Sequence, residues 1–140
     1  MVRRKYADLS GEGARRVGGR FNPRGIAAVY TSESIALGVL EVLVHLDRAE
    51  LPVDYTVIAI SFDGRNCGRS LLSVHRASEH SPESYRLTFY GSSVHRVPSV
   101  VVPRESNYVL LPEAPGFHAR IEWVEPLRFD ERLFAPLKLQ

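Results

Sequence analysis

The sequence contains a single cysteine, Cys67, in the loop-like run Gly64-Arg65-Asn66-Cys67-Gly68. One thiol cannot close an internal disulfide and fits no zinc-ligand spacing, so no covalent staple is expected and a reducing, cytoplasmic compartment is. No stretch approaches the roughly eighteen consecutive apolar residues of a membrane span. The basic start Met1-Val2-Arg3-Arg4-Lys5-Tyr6 is followed by no apolar segment, so neither export nor membrane insertion is expected. His45, His75, His80, His95 and His118 form no HExxH or paired spacing, and no metal is expected. Repeats and low-complexity tracts are absent and the nine prolines are scattered, which leaves one domain over residues 1–140.

Two catalytic signatures are missing as well. Gly11, Gly13, Gly18, Gly19 and Gly25 crowd a loop that comes before the first apolar strand pattern. A dinucleotide-binding glycine loop must follow a strand and open a helix, so a Rossmann reading fails. Ser99 follows Val97-Pro98 with no GxSxG elbow around it.

What is present is enough for one core: 140 residues, 44% of them hydrophobic, should bury roughly two-thirds of the unfolded chain's surface. Net charge is +2, but the first 25 residues carry seven Lys/Arg against Asp8 and Glu12, leaving that segment at +5 and the remainder at −3. Such a field attracts a polyanion, whether nucleic acid or a smaller phosphate-bearing ligand; a solvated basic edge is the alternative. A nucleic-acid-binding module is the competing function of another class. Only Tyr6 and Phe21 interleave those basic residues, which provides no stacking platform, so no direct nucleic-acid contact is expected.

The pattern along the chain predicts a short buried strand over Gly25 to Tyr30, then a helix from about Glu33 to about Arg48 capped by Thr31 or Ser32. Tyr55 to Phe62 is β-branched and apolar and reads as a central strand ended by Asp63-Gly64. Ser81-Pro82 resembles the N-cap and first residue of a helix ending near Gly91, and Ser70 to Ala77 is ambiguous. Extended runs follow over Ser99 to Val102, Asn107 to Leu111 and Ala119 to Val124. The class that results is α+β, a mixed β-sheet core with flanking helices.

Four residues call for an explanation beyond packing. Glu41 is a carboxylate between Val39-Leu40 and Val42-Leu43-Val44. Burying it unpaired would cost several kcal/mol, so it must meet a cation, a hydrogen-bond network or a wet cleft. On a helix Ser34, Leu37, Gly38 and His45 share its side, and Gly38 leaves room beside the carboxylate. His45 taken alone reads as a satisfied histidine at a helix end. Arg20, in Gly18-Gly19-Arg20-Phe21-Asn22, is either a turn arginine or a guanidinium placed for a phosphate. Tyr30 is a core tyrosine or a ring for a planar base with its hydroxyl bonded to a neighbour. Ser99 is a hydroxyl fixed at the mouth of an extended run.

Ser10-Gly-Glu-Gly-Ala-Arg15, Gly18-Gly-Arg-Phe-Asn22, Val29-Tyr-Thr-Ser32 and Leu40-Glu-Val-Leu-Val-His45 occur in this order. Val97-Pro-Ser99, Pro103, Asn107-Tyr108 and Phe129-Asp-Glu-Arg132 follow them. From about Tyr6 to Phe134 this text resembles the RES domain, a toxin family named for an arginine, a glutamate and a serine. Phe21 stands where the family commonly has tryptophan, which keeps an aromatic surface. Family members usually begin with a strand carrying a further arginine upstream of the region Val2 to Tyr6 resembles; if that arginine binds phosphate, either Arg3 or Arg4 takes its part or the chain is a weakened enzyme.

The resemblance implies a fold similar to ADP-ribosyltransferase toxins around an NAD-sized cleft, and inhibition by a cognate Xre-type helix-turn-helix antitoxin. It implies cleavage of the nicotinamide–ribose bond of NAD, with inorganic phosphate as a co-substrate or water as the acceptor, or transfer of ADP-ribose to a protein acceptor. The family's arginine falls on Arg20, its tyrosine on Tyr30, its glutamate on Glu41 and its serine on Ser99, with Asn22 and Ser32 beside them in the substrate-binding set. In that scheme Arg20 holds a phosphate oxygen and Glu41 stabilises the cationic ribose. Tyr30 orients the nicotinamide end, and Ser99 positions the ribose or the attacking group.

Overall fold

A computed structural model of the chain describes residues 1–46, 53–69 and 92–134. In chain order the elements are β1 (Val2–Arg3), α1 (Glu12–Val17), β2 (Val29–Ser32), α2 (Ile35–Leu43), β3 (Tyr55–Phe62), β4 (Cys67–Arg69), β5 (Val94–Pro98), β6 (Ser106–Leu110) and β7 (Ala119–Leu127). Short 3-10 turns lie at Arg4–Tyr6, Gly64–Asn66 and Glu131–Leu133. The class is α+β, but the strands divide between two sheets. One has the order β1-β3-β7 and is antiparallel throughout; the other has the order β2-β6-β5-β4 and is mixed, β4 running parallel to β5. The helix expected after Ser81-Pro82 and the segment Ser70 to Ala77 lie outside the described residues.

The β-branched run Tyr55–Phe62 takes the central place of its sheet, as its composition predicts. The second sheet carries the core: Ala28, Val97, Val109 and Leu111 form one buried cluster, with Phe21 and Ala14 packed on it. Helix α2 enters this interior through Leu37 and Gly38 while Ile35, Leu40 and Val44 face outward.

The helix expected to about Arg48 ends at Leu43 and the strand expected to Val124 runs to Leu127; three further differences from the sequence expectation arise because hydrogen bonds take the backbone elsewhere. The strand expected from Gly25 begins only at Val29. The segment before it is a turn in which Gly25 has φ 93°, its N–H donates to Arg15 O, and Ile26 N–H donates to Pro23 O. Thr31 and Ser32 do not cap the helix, because they are paired with Tyr108 and Asn107 in the β2–β6 ladder. Ser34 is the cap instead, extended at φ −140° and ψ 160°, its hydroxyl accepting Leu37 N–H at 3.1 Å. The run Ser99 to Val102 is not a strand: the Ser99 hydroxyl accepts the N–H groups of Val101 at 3.1 Å and Val102 at 2.9 Å. A serine side chain that takes two following amides offers the backbone a turn in place of a ladder. The strand of that region is β5, immediately before it.

Helix α2 ends at Leu43, and His45 Nδ1–H donates to Glu41 O at 2.8 Å, satisfying one of the carbonyls that a helix end leaves unpaired. Replacing Ser34 with alanine is expected to cost about 1 kcal/mol, seen as a lower urea midpoint at unchanged slope. A midpoint equal to the parent's would mean that Leu37 packing alone fixes the helix start.

Candidate active site

The loop Gly18 to Asn22 is built around one buried amide. Asn22 Nδ2 donates to the carbonyls of Ala14 (3.0 Å), Pro23 (3.2 Å) and Ile26 (2.9 Å), while its Oδ1 accepts the Tyr30 hydroxyl at 2.6 Å. Tyr30 in turn accepts Phe21 N–H at 2.9 Å, and the two rings stack with centroids 6.3 Å apart. Burial raises the Tyr30 phenol above its usual value, so near neutral pH it stays a neutral donor to Asn22. Gly18 closes α1 at φ 77°, its N–H donating to Ala14 O. Gly19 lies so close to this centre that a Cβ would stand 2.5 Å from the Tyr30 oxygen and 2.6 Å from Asn22 Oδ1. Between these fixed points Arg20 projects outward, exposed, with no hydrogen bond or ion pair among the described residues.

Glu41 meets a hydrogen-bond network, one of the three possibilities its sequence context left open. Ser99 Oγ–H donates to Glu41 Oε1 at 2.7 Å, and Asn107 Nδ2 donates to the same oxygen at 2.6 Å. Ser99 is itself fixed by the two amides it accepts and by its own N–H, which donates to Glu105 O. Both bonds reach Oε1, and no described group is bonded to Oε2.

Glu41, Arg20, Tyr30 and Ser32 line one cleft of about 660 Å³, together with Arg3, Gly38, His45 and Asn107. That volume lies within the roughly 300–1,000 Å³ usual for small-molecule sites. The positive start of the chain is divided in use. Arg15 pairs with Glu12 and Glu113, and Arg16 with Glu12; Arg3 and Arg20 stand at the cleft with no acidic partner among the described residues. Two unpaired guanidinium groups and a held carboxylate suit a ligand that carries both phosphate and a centre of developing positive charge.

Not every residue named from the sequence touches this cleft. Ser99 is buried, does not line the cleft, and donates its hydroxyl to the Glu41 carboxylate. Asn22 is buried with both ends of its amide engaged, so it acts through Tyr30 and the loop. The room left by Gly38 faces Met1 and Ser32 rather than the carboxylate: a Cβ there would lie 3.1 Å from Met1 Cε and 3.7 Å from Ser32 Cβ. Sequence reasoning missed Asn107 as a site residue. The available signal was an amide in the apolar run of β6, at the position that pairs with Ser32 and Val97. Among the described residues, no group of three or more His, Cys, Asp or Glu is arranged to hold a metal. No described helix is long and apolar enough to cross a membrane.

Substituting alanine for Gly19 should force apart the Tyr30–Asn22 hydrogen bond at a cost of about 1–3 kcal/mol, measured by urea denaturation. A variant as stable as the parent would show that the loop yields without disturbing that bond.

Comparison with known proteins places the chain in a family. The RES domain matches residues 2–130. A protein named Toxin Res from Photorhabdus laumondii is 34% identical over 146 residues, covering 95% of this chain and 94% of that protein. A second Toxin Res, from Pseudomonas putida, is 32% identical over 92% of this chain and 94% of its own length. A protein named Prs ADP-ribosylating toxin, from Sphingobium sp., is 32% identical over 81% of this chain and 80% of its own. The domain match and these near-full-length similarities agree with the shared motifs from Gly18-Gly19-Arg20 to Asn107-Tyr108, and the chain belongs to the RES domain family.

Proposed function

We propose that the chain is the toxin of a toxin–antitoxin pair and that it breaks the nicotinamide–ribose bond of NAD. The observation that carries this reading is one cleft holding an oriented carboxylate, Glu41, and two unpaired guanidinium groups, Arg3 and Arg20. The guanidinium groups suit the diphosphate of a dinucleotide. Nicotinamide in NAD already bears positive charge, so it leaves as a neutral base with the bonding electron pair and needs no general acid. The ribose carbon it leaves turns cationic, and Glu41, held by Ser99 and Asn107, stabilises that charge beside it. A phosphate oxygen then closes the bond to give ADP-ribose 1-phosphate, or water closes it to give ADP-ribose and a proton. Tyr30 presents its ring to the nicotinamide end, Ser32 lines the ribose side, and Asn22 fixes Tyr30. The cognate partner in this reading is an Xre-type helix-turn-helix antitoxin.

A second reading has ADP-ribose passing to a protein side chain, which the name of the Sphingobium relative favours. It uses the same first bond cleavage and the same residues.

Purified protein incubated with NAD, with and without inorganic phosphate, separates these readings by nicotinamide release and by the ADP-ribose product. Phosphate-dependent release marks phosphorolysis, and release without phosphate marks hydrolysis. Release only when a protein acceptor is added favours the second reading. A Glu41→Gln variant should lose turnover by roughly 100-fold or more while still binding substrate; turnover at the parent's rate would remove Glu41 from the reaction. Arg20→Ala should raise KM on the order of ten-fold, and an unchanged KM would count against phosphate binding there.

Asn107 separates site from stability. Its Oδ1 is buried without a partner among the described residues, a cost of about 1–3 kcal/mol that offsets the gain from its bond to Glu41. Asn107→Ala should therefore keep stability within about 1 kcal/mol of the parent while kcat falls; equal losses of both would make Asn107 a structural residue only.

A further inference from the structure

Beside the cleft lies a second cavity, of about 360 Å³, walled by both sheets. It shares Met1, Val2, Tyr30, Thr31, Ser32 and Gly38 with the cleft, so the two spaces adjoin at β1, β2 and the first turns of α2. Its lining is largely apolar and aromatic, including Val57, Ala59, Phe62, Tyr108 and Trp123, with the Phe62 and Tyr108 rings 5.3 Å apart. The charged side chains on it are Asp8, whose Oδ1 accepts the Ser10 N–H and hydroxyl, and Glu33, which lies 3.8 Å from Arg96; Met1 lines it as well. Carboxylates accept hydrogen bonds from hydroxyl and amino groups.

Trp123 is the sole tryptophan of the chain, and it is 42% exposed. The regular register that starts at Tyr55 and Leu127 places it opposite Ala59, the smallest side chain of its strand. Ile60 then pairs with Ile121, so Glu122 is skipped and a bulge lies next to the indole; bulges are common beside functional sites. A large aromatic surface kept half in water, in a cavity continuous with a substrate cleft, suits a planar heteroaromatic ligand.

We propose that this second cavity is the subsite for the adenine nucleoside half of the dinucleotide. The base lies against Trp123, the ribose hydroxyls or the adenine amino group reach Asp8 or Glu33, and the diphosphate is left to Arg3 and Arg20 in the neighbouring cleft. The identity of the ligand as a dinucleotide rests on the proposed function. The presence of an adenine-binding subsite is a separate claim with its own readout.

Because Trp123 is the only indole, intrinsic tryptophan fluorescence of the intact protein reports this cavity directly and needs no turnover. Titration with AMP and with ADP-ribose should change the emission saturably, while nicotinamide mononucleotide, which lacks the adenine half, should not. A Trp123→Leu variant should raise KM for NAD on the order of ten-fold. NAD cleavage by a parent whose emission ignores AMP and ADP-ribose would overturn the subsite and leave the reaction standing. Saturable AMP binding by a parent that does not consume NAD would support the subsite and overturn the reaction. Equal responses to AMP and nicotinamide mononucleotide, or a KM within about two-fold of the parent's in the variant, would also overturn it.

Discussion

Glu41 Oε1 accepts the Ser99 hydroxyl at 2.7 Å and the Asn107 amide at 2.6 Å, and through these two bonds α2 is tied to the ends of β5 and β6. Hydrogen bonds to a charged group contribute about 1.5–3 kcal/mol each, against up to about 2 kcal/mol of side-chain entropy lost when a glutamate is held in one rotamer. Two such bonds are enough to fix the carboxylate, and neither brings a positive charge. An ion pair in the same place would have held the side chain while cancelling the field it can offer a developing cation. Neutral donors hold it and leave that field in place.

The other half of the site depends on a comparable choice of hydrogen bonding over packing. Asn22 is buried, and all of its capacity goes to the loop and to Tyr30. A buried amide left partly unsatisfied would cost more than an apolar residue of the same size; this one is satisfied, and it converts a glycine-rich loop into a fixed support. Gly19 is part of that support because no side chain fits between it and the Tyr30–Asn22 bond. Arg20 can then extend into solvent from a rigid base, which lowers the entropy lost when an anion arrives.

Much of this was legible along the chain wherever the cause was local. The strand Tyr55–Phe62 follows from its β-branched run, and α2 follows from its apolar spacing and a hydroxyl cap. The cap itself was misplaced because Thr31, Ser32 and Ser34 all qualify by type, and only pairing with Tyr108 and Asn107, some 75 residues away, decides that the first two belong to a strand. The valines after Ser99 have strand propensity, but two hydrogen bonds to one hydroxyl override it. Glu41 stood out as a carboxylate in an apolar helix, whereas Asn107, 66 residues later, gives no sign in the sequence of what it holds. Arg20, Tyr30, Glu41 and Ser99 were singled out together by resemblance to a family. Geometry then divides them, three lining the cleft and Ser99 standing behind Glu41.

That division bears on how such a site tolerates change. The side chains of Arg20 and Arg3, which line the cleft, make no hydrogen bond or ion pair among the described residues, so shortening them alters what the cleft attracts more than it alters the fold. Residues behind it, Asn22 and Ser99, are buried and bonded to backbone, Asn22 to carbonyls of α1 and its own loop and Ser99 to the amides that follow it, so replacing them moves backbone as well as chemistry. Asn107 belongs to both groups, since it lines the cleft and grips the carboxylate while its own carbonyl oxygen is buried without a partner among the described residues. A buried oxygen without a partner opposes stability. The amide contributes direction to Glu41, and there the requirements of the fold and of the site come apart at a single side chain.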